Sequence, residues 1–255
     1  MNDIVLIEND VYQRYEDLLI RKDVLKKEAV QYEISYIREF GELIARNFEA
    51  KIACIEKKKI IAYCQAIINK GGTVDINQME DYISAVMKDY YLQLQQILDD
   101  NHNARSGSSV SEYEFRKIKK IYYAIAKLIH PDMNPSLKND ETITDLWNRT
   151  IIAYDCNQLK ELEELQVLVN RYLASIDYKH NDIVIDNIEE KIMELNEEID
   201  HIINTDPYTY KYLLADEEAV YDKKNDLEQE TDDYRRYAQQ LDEVIATFNL
   251  ERKYS

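Results

Sequence analysis

Residues 111–157 read SEYEFRKIKKIYYAIAKLIHPDMNPSLKNDETITDLWNRTIIAYDCN, and their pattern decides the fold. Phe115, Ile118, Tyr122, Ile125 and Ile129, with Ile121 and Leu128 alongside, recur at helical spacing and predict a helix over about Ser111–Ile129. Ser111 with Glu114 offers a capping box at its start. Pro131 forbids continuation, because it lacks an N–H and its ring disfavours helical geometry at His130. A second stripe, Ile143, Leu146, Trp147, Thr150, Ala153 and Tyr154, predicts a helix over about Asp140–Asn157. An imidazole and a carboxylate, His130 and Asp132, are thereby expected on a tight turn between two amphipathic helices, where a partner could read them.

Upstream the same periodicity continues. From Val11 to about Asn69 the positions Tyr15, Leu18, Leu19, Lys22, Leu25, Ala29, Tyr32, Tyr36, Phe40, Leu43, Ile44, Phe48, Ile52 and Ile55 recur at helical spacing and predict one long helix, or two with a bend near Gly41. Gly71-Gly72 is a helix stop signal. The next helix is expected to start after Asn77, capped by that side chain with Glu80, and to run to about Leu98 as the second arm of an antiparallel hairpin. Asp99–Ser108 is the most loop-like stretch of the chain.

Downstream, Leu159, Leu162, Leu165, Leu168 and Val169 predict a helix over about Asn157–Leu173. A polar boundary follows near Asp177–Asp182, and Asp186 is expected to cap a helix reaching Ile203. Asp206-Pro207 suits the start of the next. The charged, heptad-like remainder predicts a C-terminal coiled-coil hairpin, which can close on itself or dimerise. The expected fold is all-α, with a helical hairpin around residues 108–175 embedded between a long N-terminal hairpin (1–100) and a coiled-coil hairpin (183–255).

Composition agrees with long helices and few connections: 255 residues contain only 4 Gly and 3 Pro. The net charge of −18 repels phosphate backbones and anionic lipid, which argues against nucleic-acid and membrane partners. No apolar run has the length of a membrane span, and the opening MNDIVLIEND lacks a signal-peptide layout, so a cytoplasmic location is expected. Cys54, Cys64 and Cys156 read as reduced, buried small hydrophobes. The histidines are too scattered for a metal site, and no cofactor is expected. The sequence contains no G-x-S-x-G, phosphate-cradling glycine loop or H-E-x-x-H, which argues against an enzyme. Against this acidic background, Arg116, Lys117, Lys119, Lys120 and Lys127 form a local basic cluster beside the turn.

The runs IKKIYYAIAKLIHPDMNP (118–135) and LWNRTIIAYDC (146–156) resemble the J domain of DnaJ-like co-chaperones. That family carries a helix of the form IKKAYRKLALKYHPDKNP, the His-Pro-Asp loop and a helix ending FxxIxxAYxxL. Ile118, Lys119, Lys120, Tyr122, Ala126, His130, Pro131, Asp132, Asn134 and Pro135 match, Trp147 stands for the family's Phe, and Ala153-Tyr154 match its Ala-Tyr. The chain departs from the pattern at Tyr123-Ala124, Leu128-Ile129 and Met133, where the family carries more basic residues. Asp89-Tyr90-Tyr91-Leu92 is similar to the opening of the family's first helix. The resemblance implies docking to a DnaK-type ATPase chaperone and stimulation of its ATP hydrolysis. His130, Pro131 and Asp132 would form the contact loop, Lys119, Lys120 and Lys127 the steering charges, and the helical arms would hold a client protein. The competing expectation is a helical scaffold or assembly protein that keeps a J-like fold as architecture only.

Overall fold

Helical spacing of apolar side chains and scarcity of Gly and Pro leave the chain few places to stop, and the computed structural model is all-helical among the described residues. These are 2–106, 110–176, 178 and 187–248, with residues 2–9 described by backbone only. The helices are α1 (Asn2–Ile68), α2 (Ile76–Ser106), α3 (Glu112–Ile129), α4 (Glu141–Asp155), α5 (Leu159–Ser175), α6 (Ile188–Asn204), α7 (Tyr210–Leu214) and α8 (Glu217–Ala246). They fall into two compact units, Met1–Tyr32 with Ser108–Thr209, and Glu33–Gly107 with Tyr210–Ser255. Each unit is discontinuous in sequence, unlike the three consecutive segments read from the sequence, because α1 serves both.

In the first unit, α3, α4 and α5 pack on one another and on residues 10–32 of α1. The core joins Tyr15, Leu18, Leu19, Ile20 and Leu25 of α1 to Ile118, Tyr122, Ile125 and Ile129 of α3, Trp147 and Tyr154 of α4, and Leu162, Leu165 and Val169 of α5. The apolar stripe expected for α4 is buried throughout, and α3 carries the expected capping box. On α5 the expectation fails at Leu168, which is exposed, while Leu173 is buried. Ile192, Leu195 and Ile199 of α6 belong to this same core, whereas α8 is part of the other unit. The C-terminal coiled-coil hairpin is therefore corrected: the stripe of α6 is spent on the first unit. Asp186 lies outside the described residues.

In the second unit, α2 runs antiparallel to residues 33–68 of α1. Successive contacts pair Asn101 with Gly41, Tyr91 with Glu56 and Cys64 with Met79. Along α8, Asn47 bonds Glu230, Cys54 bonds the Tyr234 carbonyl and Lys57 pairs with Asp242, so α8 runs parallel to α1. Three local expectations are corrected. Asp75, not Asn77, caps α2, accepting from the N–H groups of Asn77 (2.9 Å) and Gln78 (3.2 Å). Asp216, not Asp206, caps α8. The Asp99–Ser108 stretch is not a loop as far as Ser106 but the last turns of α2. Tertiary contacts hold it helical: buried Asn101 donates to the Gly41 carbonyl at 2.7 Å, Arg38 donates to the Ala104 carbonyl, and Arg105 pairs with Glu42. Polar residues that read as loop are thus the groups that anchor the helix.

Gly41 produces no break in α1; it admits Asn101. A Cβ there would collide with the Asn101 Oδ1. Gly41→Ala, which stabilises an ordinary helix interior by roughly 1 kcal/mol, is expected here to destabilise by about 1–3 kcal/mol through overpacking. A raised melting temperature in circular dichroism would refute that close approach.

Candidate functional site

The turn between α3 and α4 is built from the end of α3 outward. His130 is the C-cap of α3, and its N–H still donates to the Ala126 carbonyl. Its carbonyl then accepts from Met133 N–H at 3.1 Å and Asn134 N–H at 2.8 Å, which closes the chain around Pro131. Asn134 is fully buried. Its Nδ2 donates to the carbonyls of Lys127 (3.3 Å) and His130 (3.4 Å), and its Oδ1 accepts from the Tyr178 hydroxyl at 3.2 Å. Tyr12 of α1 donates to the Met133 carbonyl at 2.6 Å. A 3-10 turn, Pro135–Leu137, leads to Asp140, whose carboxylate caps α4 by accepting from Ile143 N–H at 3.0 Å and also receives the Tyr172 hydroxyl.

The three residues of the triplet have different environments. His130 is only 8% exposed, with its ring edge-on to Trp147 at 4.8 Å between centroids. Its Nδ1 accepts from Asp132 N–H at 3.1 Å, so the neutral ring carries its proton on Nε2. Pro131 is half-buried and Asp132 is exposed. Among the described residues, the Asp132 carboxylate has no hydrogen-bond or ion-pair partner. The turn therefore presents a carboxylate to solvent from a backbone pinned by internal bonds at the Asp132, Met133 and Asn134 N–H groups and at the His130 and Met133 carbonyls.

Burial pushes the His130 pKa below its ordinary value of 6.5, against the pull of the Asp132 and Asp23 carboxylates and with a smaller push from Lys22. A depressed folded-state pKa means that the associated stability is complete above about pH 6.5 and is lost as pH falls through the folded value. Protonation would also set an N–H against the Asp132 N–H. Trp147 is the only tryptophan in the chain, so its fluorescence should titrate with His130 at a midpoint below 6.5. A midpoint above that value would show the imidazolium to be stabilised in the fold.

The three lysines also differ. Lys120 is exposed and has no partner among the described residues. Lys119 bonds Glu28 of α1 at 2.6 Å. Lys127 lies 3.3 Å from Asp17 and 3.8 Å from Glu16 of α1. Burial pulls the Lys127 pKa down, but hydrogen bonds with Tyr123 and Asp17 outweigh it and leave it raised. Two of the expected steering charges are thus engaged within the unit. Arg116 pairs with Glu112 on its own helix, and Lys117 lies over the Tyr113 ring.

The sequence reading missed the helix that answers α3. Asp89–Leu92 lies on α2 in the second unit, and the helix running antiparallel to α3 is the first part of α1. Besides Glu16 and Glu28, α1 places Asp23 2.8 Å from the Tyr122 hydroxyl, and Asp17 also receives the Tyr123 hydroxyl. A signal was present: Glu16 and Asp23 are seven residues apart, Asp17 and Glu28 eleven, and both spacings return to one line on a helix. Lys27, mostly buried, donates to the carbonyls of Tyr154 and Asp155 at the end of α4 and lies 4.3 Å over the Tyr154 ring. A cation there meets the negative end of the helix dipole. Burial lowers the Lys27 pKa, opposed by Asp155. Cys54 and Cys64 are buried as expected, whereas Cys156, at the C-cap of α4, is exposed.

Among the described residues no group of three His, Cys, Asp or Glu side chains is placed to hold a metal ion. No described helix is long and apolar enough to cross a membrane. No family model, no curated protein and no solved structure matches this chain.

Proposed function

We propose that this protein is a J-domain-type co-chaperone, not an enzyme, and that its α3–turn–α4 hairpin docks a DnaK-type ATPase chaperone and stimulates ATP hydrolysis. Asp132 carries the reading: an exposed carboxylate with no hydrogen-bond or ion-pair partner among the described residues, on a turn rigidified by Asn134, His130 and Tyr12. Such a group can pair a partner's guanidinium in a partly desolvated place without first losing a bond of its own. Pro131 fixes the turn, and His130 acts from beneath it by receiving the Asp132 N–H. Lys120, exposed midway along α3, supplies a steering charge, and Lys119 and Lys127 supply more when released from α1. The remaining helices would hold a client protein in the cytoplasm.

A second reading, a helical scaffold that keeps the hairpin as architecture, is favoured by the burial of His130 and by the pairing of Lys119 and Lys127 with α1. Single-turnover ATP hydrolysis by the host's DnaK-type chaperone separates the two. Saturable acceleration by the wild-type chain supports the co-chaperone. No acceleration at concentrations well above the usual docking range sinks it and leaves the scaffold.

A further inference from the structure

The basic face of α3 already meets an acidic helix of its own unit. Glu16, Asp17, Asp23 and Glu28 of α1 all find their partners on α3: Lys127 for the first two, Tyr122 for Asp23 and Lys119 for Glu28. The Lys119 and Lys127 side chains keep only 27% and 31% of their surface exposed. Where charge steers an encounter, a cation held against a carboxylate contributes little field beyond the pair. We propose that the acidic face of α1 occupies in cis the cationic surface of α3 that an acidic partner would use, and that it weakens docking until Lys119 and Lys127 exchange one set of carboxylates for another. The inference rests on the co-chaperone reading for the identity of that partner.

Packing determines how the exchange happens. Helix α1 cannot swing away, because Tyr15, Leu18, Leu19, Ile20, Leu25 and Ala29 are buried in the core beneath it. The exchange is therefore made by side chains. Lysine stems are flexible enough to carry an ammonium from a neighbouring helix out to solvent while their methylenes stay covered. Asp17, whose side chain is half exposed, and Glu28, whose side chain is one-fifth exposed, are the two carboxylates to neutralise.

The test measures the concentration giving half-maximal acceleration of the DnaK-type chaperone in single turnover, for the wild-type chain and for Asp17→Asn/Glu28→Gln. The double variant is expected to need roughly three- to tenfold less protein at low salt, from the released partly exposed pairs. The advantage should shrink as salt is raised. Adding Lys119→Gln and Lys127→Gln should erase it. Circular dichroism melting confirms folding, and Glu28→Gln alone, with a smaller gain in the same direction, replaces the double variant if that fails to fold. Wild-type acceleration with no gain in the variant, or a gain that survives removal of both lysines, overturns this inference and leaves the co-chaperone reading standing. No acceleration by either overturns both.

Discussion

Asp132→Asn is expected to abolish acceleration of the chaperone's ATP hydrolysis while leaving the melting curve nearly unchanged. The substitution keeps the size of the side chain and removes its charge. The carboxylate bonds nothing among the described residues, so its loss costs the fold no hydrogen bond or ion pair. An exposed change of this kind shifts stability by about 0.5 kcal/mol or less. The loss at an interface is larger, because a charge-assisted bond to a guanidinium is about twice as strong as a neutral one and the partner's cation would be left unpaired. Single-turnover hydrolysis and thermal melting, measured on the same preparation, separate the two effects. Full acceleration by the variant would remove Asp132 from the docking surface. A large fall in melting temperature would show that the carboxylate supports the turn.

Trp147→Ala is expected to destabilise the first unit by about 3–5 kcal/mol. The indole is 8% exposed and sits where three parts of the site meet: it receives the edge of the His130 ring at 4.8 Å and lies 5.9 Å from the Tyr122 ring, which itself stacks on Tyr154 at 3.9 Å. Truncation leaves a cavity under the turn and removes the wall that keeps His130 dehydrated. Two readouts should move together: the unfolding midpoint should fall, and the His130 pKa, followed by NMR, should rise towards its ordinary value as water enters. A melting curve matching that of the wild type would place the indole outside the core. Trp147→Phe, which keeps an aromatic wall, should recover much of the loss.

Both expectations concern a hairpin that was legible in the sequence for a physical reason. Its determinants are local: a capping box at Ser111 and Glu114, a proline that ends α3 at Ile129, a capping aspartate at Asp140, and apolar stripes at helical spacing. Where the determinant was a distant side chain, the sequence reading went astray. The last turns of α2 look like a loop in composition and are helical because Asn101 and Ala104 are held by Gly41 and Arg38. The stripe of α6 looks like half of a coiled coil and is buried with α1, α3 and α5 instead.

The site divides in the same way. The sequence alone determined that His130, Pro131 and Asp132 stand on a turn between two amphipathic helices, because chain geometry at proline and the period of the apolar residues act over a few residues. It could not determine which of the three faces solvent or which lysines are free. Those properties depend on what packs against α3, and the answer came from carboxylates on α1 about a hundred residues earlier in the chain. Only the tertiary structure decided that His130 is buried against Trp147 with its pKa pushed down by that burial, that Asp132 is exposed, and that Lys119 and Lys127 are paired while Lys120 has no partner among the described residues. Burial and pairing are set by which surfaces meet, and that choice is made by the whole core.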